Sequence, residues 1–105
     1  MIIRQAIFVG TVDPSYRKAF DVHVATRVLP LLRTLPGLTE AKVLKTLEAD
    51  AQGPEVYQIY QLQFPNIAAM QMMLASERRQ DVHKAMAKIL PWFEGMILHN
   101  VFETF

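Results

Sequence analysis

The chain has 105 residues, 51% of them hydrophobic and 20% charged, with no cysteine. This length suits one domain, residues 1–105, and the missing thiols exclude disulfide scaffolds, zinc ribbons, iron–sulfur clusters and cysteine nucleophiles. Eleven Lys and Arg against ten Asp and Glu leave a formal charge of +1, too balanced for a nucleic-acid groove or an anionic lipid surface, and no apolar run approaches the ~20 residues of a membrane span.

The first segment, Ile2 to Val12, is rich in β-branched residues. Its faces, Ile2-Arg4-Ala6-Phe8 and Ile3-Gln5-Ile7-Val9, are both mainly apolar, the pattern of a central strand. Asp13 before Pro14 reads as a helix start, because the carboxylate accepts from an orphan amide and proline lacks only a donor without a partner. The helix from Pro14 carries Phe20, Val24, Val28, Leu31 and Leu35 on one buried stripe. Pro30 should bend it and Pro36-Gly37 end it. Leu38 to Ala49, with Glu40, Lys42, Lys45 and Glu48, reads as an exposed edge strand. A turn over 50–54 leads to Val56–Phe64, an alternating strand closed by Pro65.

Asn66 can cap the next helix, whose stripe is Ile67, Met70 and Leu74. Ser76 reads as a second cap, splitting the segment into two helices. The second stripe is Val82, Met86, Ile89 and Phe93, with Arg78, Arg79, Asp81, Lys84 and Lys88 facing water. Pro91 ends it, Gly95 turns the chain, and Met96–Phe105 is the last strand, apolar on both faces. The order β-α-β-β-α-β with right-handed crossovers gives an α+β ferredoxin-like sandwich: a four-stranded antiparallel sheet with its helices on one face. The uncovered apolar sheet face then calls for a second copy, so a homodimer packed through sheet faces is expected. No basic start with an apolar core and a cleavage site is present, so a cytoplasmic location is expected.

Asp21-Val22-His23-Val24 through Leu35-Pro36-Gly37-Leu38 resembles the EthD family, whose first helix carries a His and ends in a Leu-Pro-Gly-Leu turn. Tyr60-Gln61-Leu62-Gln63-Phe64, Ala68-Ala69-Met70 and Leu74-Ala75-Ser76-Glu77 are similar to that family's third strand and following helix. Phe20 stands where the family has an aromatic in a Trp-rich context, and Trp92 is the single tryptophan of the chain. The resemblance implies a dimeric α+β barrel. It also implies kinship with cofactor-free monooxygenases of polyketide pathways, stress-responsive barrel proteins and small polyketide cyclases. EthD-like proteins are linked to ether-degradation operons, and some relatives are dehydratases of polycyclic aromatic substrates.

His23 is the first candidate for chemistry. It falls on the flank of the first helix's stripe with Tyr16, Phe20 and Arg27, where a pocket mouth would open and an imidazole would serve as general acid or base. The alternative is a half-buried ring bonded to a backbone carbonyl. His99, mid-strand between Ile97 and Val101, either lines a cavity or sits in a dimer core. His83, beside Lys84, reads as a solvated surface residue. No two histidines have metal-binding spacing, so neither a metal nor another cofactor is expected. Tyr57, Gln61 and Gln63 share a strand face, with Gln5 on the neighbouring strand. They would either supply polar groups to a small-molecule pocket or pair as amides against a second subunit. The methionines, Met70 and Met86 foremost, read as core, and Trp92 and Phe93 as a seal at the sheet end.

The resemblance implies an EthD-like small-molecule protein handling an apolar or aromatic metabolite in a degradation or biosynthetic pathway, with His23 as the residue to transfer a proton. A non-catalytic binding or accessory dimer is the alternative from another class. A cofactor-free monooxygenase is the third reading.

Overall fold

The computed structural model describes residues 1–105. Strand β1 runs Ile2–Val12, as its β-branched composition predicts. After it the Asp13 carboxylate accepts from the Ser15 amide at 2.9 Å, and the Asp13 carbonyl accepts from the Tyr16 amide. This turn delays the helix, which begins as α1 at Arg17–His23 rather than at Pro14. A π-helical turn, Val24–Val28, and a short α2, Leu29–Leu32, continue it. The widened turn takes the place of the predicted bend, and it accommodates Pro30, which has no N–H to offer the preceding turn. It also advances the phase of the buried stripe. Phe20, Val24 and Val28 are buried as predicted, and Leu32 takes the inward place assigned to Leu31.

Strand β2 is Glu40–Lys45, shorter than the predicted 38–49. Past Lys45 the Thr46 hydroxyl donates to the Val56 carbonyl at 2.7 Å, so a side chain replaces the next rung of the ladder. Strand β3 is Val56–Phe64. Asn66 caps α3, Ile67–Leu74, by accepting from the Ala69 amide at 2.9 Å. The Ser76 hydroxyl accepts from the Arg78 amide at 3.1 Å ahead of α4, Arg79–Ala87, so the segment is two helices. A 3-10 turn over Leu90–Trp92 leads into β4, Phe93–Glu103. Phe93 opens this strand instead of closing the helix, and Gly95 lies within it instead of turning the chain.

The sheet order is β2-β3-β1-β4, antiparallel throughout, the ferredoxin-like arrangement. Gly95 is explained by its partner, Gly10, directly opposite in the β1–β4 register. Both have φ near +150°, and a Cβ on either would lie 2.1 Å from a carbonyl oxygen of the other strand. The helices cover the face that carries Ile2, Phe8 and Val12 of β1 and Tyr60, Leu62 and Phe64 of β3. Phe8 anchors this core, with ring centroids 4.6 Å from Tyr60 and 5.3 Å from Phe93. No helix covers the opposite face. There Ile3, Ile7, Val9 and Ile59 are partly exposed, and Met96, Leu98 and Phe102 of β4 are exposed at 59%, 44% and 46%. No helix is long and apolar enough to cross a membrane.

The facing glycines yield a direct test. Gly95→Ala must push two strands apart or strain a positive φ, so it should lower unfolding free energy by roughly 1–3 kcal/mol in urea denaturation. Unchanged stability would show that β1 and β4 part freely at this rung.

Candidate ligand cavity and its polar wall

A cavity of about 230 Å³ lies between the covered sheet face and the helices. Its floor follows from one small side chain. Ala6 of β1 stands in register between Tyr60 of β3 and His99 of β4, and where its neighbours on that face are Arg4 and Phe8 it leaves room. The walls are mostly apolar: Leu32 and Leu35 from the first helical run, Met73 of α3, and Val82 and Met86 of α4. Its exposed lining residues are His83 and His99, so the mouth lies between α4 and the β4 edge, where the helix layer stops.

Four polar side chains interrupt the apolar lining. Arg4 projects from the centre of the sheet beside His99, its diagonal cross-strand neighbour. Arg79 and His83 stand one turn apart on the same side of α4. One Arg79 Nη1 donates to the Leu74 carbonyl at 2.9 Å, which ties the start of α4 to the end of α3. No carboxylate lines the cavity, and the one ion pair of the chain, Lys42 with Glu40 at 3.6 Å, lies on β2. Burial holds the His99 pKa below the ordinary histidine value, and the charges of Arg4 and Arg79 push it the same way. The Arg4 guanidinium is likewise lowered, by burial and then by Arg79.

Tyr60 also faces the cavity, and a polar chain behind it fixes its hydroxyl. Tyr60 donates to Gln58 Oε1 at 3.3 Å, Gln58 Nε2 donates to Asp21 at 3.1 Å, and the Tyr57 hydroxyl donates to the same Asp21 oxygen at 2.6 Å. Gln58, buried to 4% exposure, is thus satisfied inside the core. Burial raises the pKa of both phenols, and Asp21 reinforces it, so both stay protonated near neutrality. No three His, Asp or Glu side chains converge as a metal site.

Of the residues singled out in the sequence, His99 lines this cavity. His23 lies outside it, with Nε2 2.8 Å from the Ala85 carbonyl of α4. Tyr16 stacks on Trp92 at 4.8 Å, and Phe20 is fully buried against the edge of Tyr57. Arg27 is exposed on the π turn. Strand alternation puts Tyr57 beside Gln61, but the register shifts where β1 pairs with the start of β3, and the bulge turns Tyr57 toward α1. Gln61 is on the uncovered face, where its Oε1 accepts from Gln5 Nε2 at 2.8 Å. The sequence places Arg79 among the water-facing residues of its helix, but the fold sets it half-buried on the cavity wall, with Arg4 and Tyr60 on the sheet side. Arg4 had left a signal: it is the single charge on an otherwise apolar face of a central strand.

Together these features define a ferredoxin-like α+β chain with a ligand-sized cavity between its sheet and helices. The same fold is found in an EthD family protein from Bacillus halodurans, with a TM-score of 0.74 and 17% identity over 100% of this chain and 99% of that one. SnoaB, a cofactor-independent oxygenase from Streptomyces nogalater solved as a mutant, has a TM-score of 0.62 and 14% identity over 98% and 91% of the two chains. A dimeric ferredoxin-like protein of unknown function from Thermobifida fusca has a TM-score of 0.65 and 17% identity over 98% and 90%. The resemblance read from the sequence is therefore matched at the level of fold. No protein-family model matches the sequence, and no curated protein matches it significantly.

The polar wall makes stability depend on pH. His99 is held below its ordinary value of 6.5 when folded, so below that pH the unfolded chain binds more protons than the folded one. Stability should therefore be full above about 6.5 and fall as the pH drops through it. Urea midpoints across that range should show this decline in the wild type and a flatter profile in His99→Gln.

Proposed function

We propose that this protein binds a small apolar or aromatic metabolite in the cavity and moves a proton on it through His99. The observation that carries the reading is an imidazole at the mouth of an apolar cavity, beside two guanidiniums and across Ala6 from a phenol. A cavity of about 150 Å³ accommodates benzene, so about 230 Å³ suits a molecule of one or two rings. An imidazole kept neutral can accept a proton from an acidic O–H or C–H of the bound molecule. The charge left on the substrate would then face the Arg4 guanidinium, which stabilises it. His23 acts in this reading as a tie between α1 and α4, because its ring is already bonded to a backbone carbonyl.

Solvent-deuterium exchange into a co-purified or supplied ring ligand, read by mass spectrometry, tests this. His99→Gln should slow exchange by roughly 100-fold or more with ligand affinity nearly unchanged. His23→Ala should cost about 1 kcal/mol of stability while exchange persists. The opposite pattern would return the catalytic role to His23. Binding without exchange in the wild type would leave a carrier, and oxygen uptake with a polycyclic phenol would mark an oxygenase.

We also infer that the chain works as a homodimer joined through the uncovered sheet faces. The apolar rows of β1 and β4 support this, as does the Thermobifida fusca neighbour, which is described as dimeric. Native mass spectrometry should show two subunits in the wild type and one in Leu98→Glu, since an unpaired carboxylate buried between sheets is costly. A wild-type monomer would overturn the inference.

A further inference from the structure

We propose that the ligand of this cavity is a monocarboxylic acid with an apolar ring body, its carboxylate held by Arg4 and Arg79. This rests on the reading of the cavity as a binding site. It adds the charge and the orientation of what is bound.

The reasoning starts from what an arginine needs. A guanidinium stays protonated at any pH a folded protein meets, so an arginine facing an apolar cavity must find acceptors there or remain poorly solvated. The Arg4 guanidinium makes no hydrogen bond to a protein acceptor and is partly open to solvent, and no carboxylate lines the cavity. Arg79 spends one nitrogen on the Leu74 carbonyl, which fixes its position and leaves its other donors free. The two come from opposite walls, the sheet and α4, and each lies close enough to the other and to His99 to disfavour additional positive charge. Every ionisable group on this wall is therefore cationic or neutral.

A single planar oxyanion between the two forks answers that excess. Carboxylate geometry matches a guanidinium two bonds at a time, and such charge-assisted bonds are about twice as strong as neutral ones. The remaining lining sets the other end of the molecule. With the carboxylate at Arg4, the ring body would extend over Ala6 toward Phe8, Ile97 and Met86, and the His99 imidazole would stand beside the ring carbons next to the acid. A neutral molecule of the same shape would leave both guanidiniums unanswered, so selection against neutral analogues follows from the same wall.

Calorimetric titration of the intact protein with 2-naphthoate and with its neutral isostere 2-naphthamide separates the terms. The carboxylate should bind roughly tenfold or more tighter than the amide. Arg4→Gln should erase most of that preference, and Arg4→Lys should keep part of it. Arg79→Gln should also reduce it, with circular dichroism confirming that α4 stays folded; Arg4 carries the test if it does not. Equal affinity for both compounds, unchanged by Arg4→Gln, would overturn the carboxylate and leave the cavity reading standing. Binding of 2-naphthol as its phenolate, seen in its absorbance, with naphthoate no tighter than the amide, would overturn it too. That result would assign the guanidiniums to a charge formed during reaction. Failure of all three compounds to bind would overturn both readings.

Discussion

Strand β1 is the member on which everything else depends. All eleven of its residues pair with β4 on one side, and most also pair with β3 on the other. A strand paired on both edges has no freedom to slip, because a one-residue shift would exchange its two faces. Phe8, Val12 and Ile2 on the covered face therefore hold the helices, and Ile3, Ile7 and Val9 are fixed on the uncovered one. The glycine pair at Gly10 and Gly95 lets β4 approach closely at the end of that strand.

The same constraint builds the cavity. On the covered face of β1, Arg4 and Ala6 interrupt a row that is otherwise large and apolar, at the centre of the sheet where a charge costs most. The helices cannot fill the gap, since α4 faces this stretch with Val82, His83 and Met86 and the layer stops short of the β4 edge. A core that only needed stability would place a larger aliphatic residue at position 6 and a neutral one at position 4. Chemistry and packing thus compete on one strand, and the surrounding aromatic core of Phe8, Tyr60 and Phe93 supplies the stability that the cavity forgoes.

Particular residues show where sequence reading succeeded and failed. The extent of β1 and β3, the cap at Asn66 and the break at Ser76 follow from local chemistry, so each was legible. The bend at Pro30 became a π turn, and Leu32 replaced Leu31 in the core, because packing chose one of several ways to absorb a missing donor. Alternation puts Tyr57 on one face with Gln61 and Gln63, and a single bulge turns it to the other. His23 satisfied every local expectation of a pocket-flank histidine, yet a carbonyl from 62 residues away occupies its ring. His99 was named among the candidates, but without its neighbours nothing ranked it above His23.

By itself the sequence determined the element order, the central place of β1 and the one-sided cover of the sheet. These follow from residue-by-residue preferences and from the length of apolar rows, both short-range properties. Only the tertiary structure decided which polar residues meet. Arg4, Arg79 and His99 come from a first strand, a fourth helix and a last strand, and no local pattern encodes a distance between them. Sheet register and helix placement set that distance, and with it the electrostatics of the cavity.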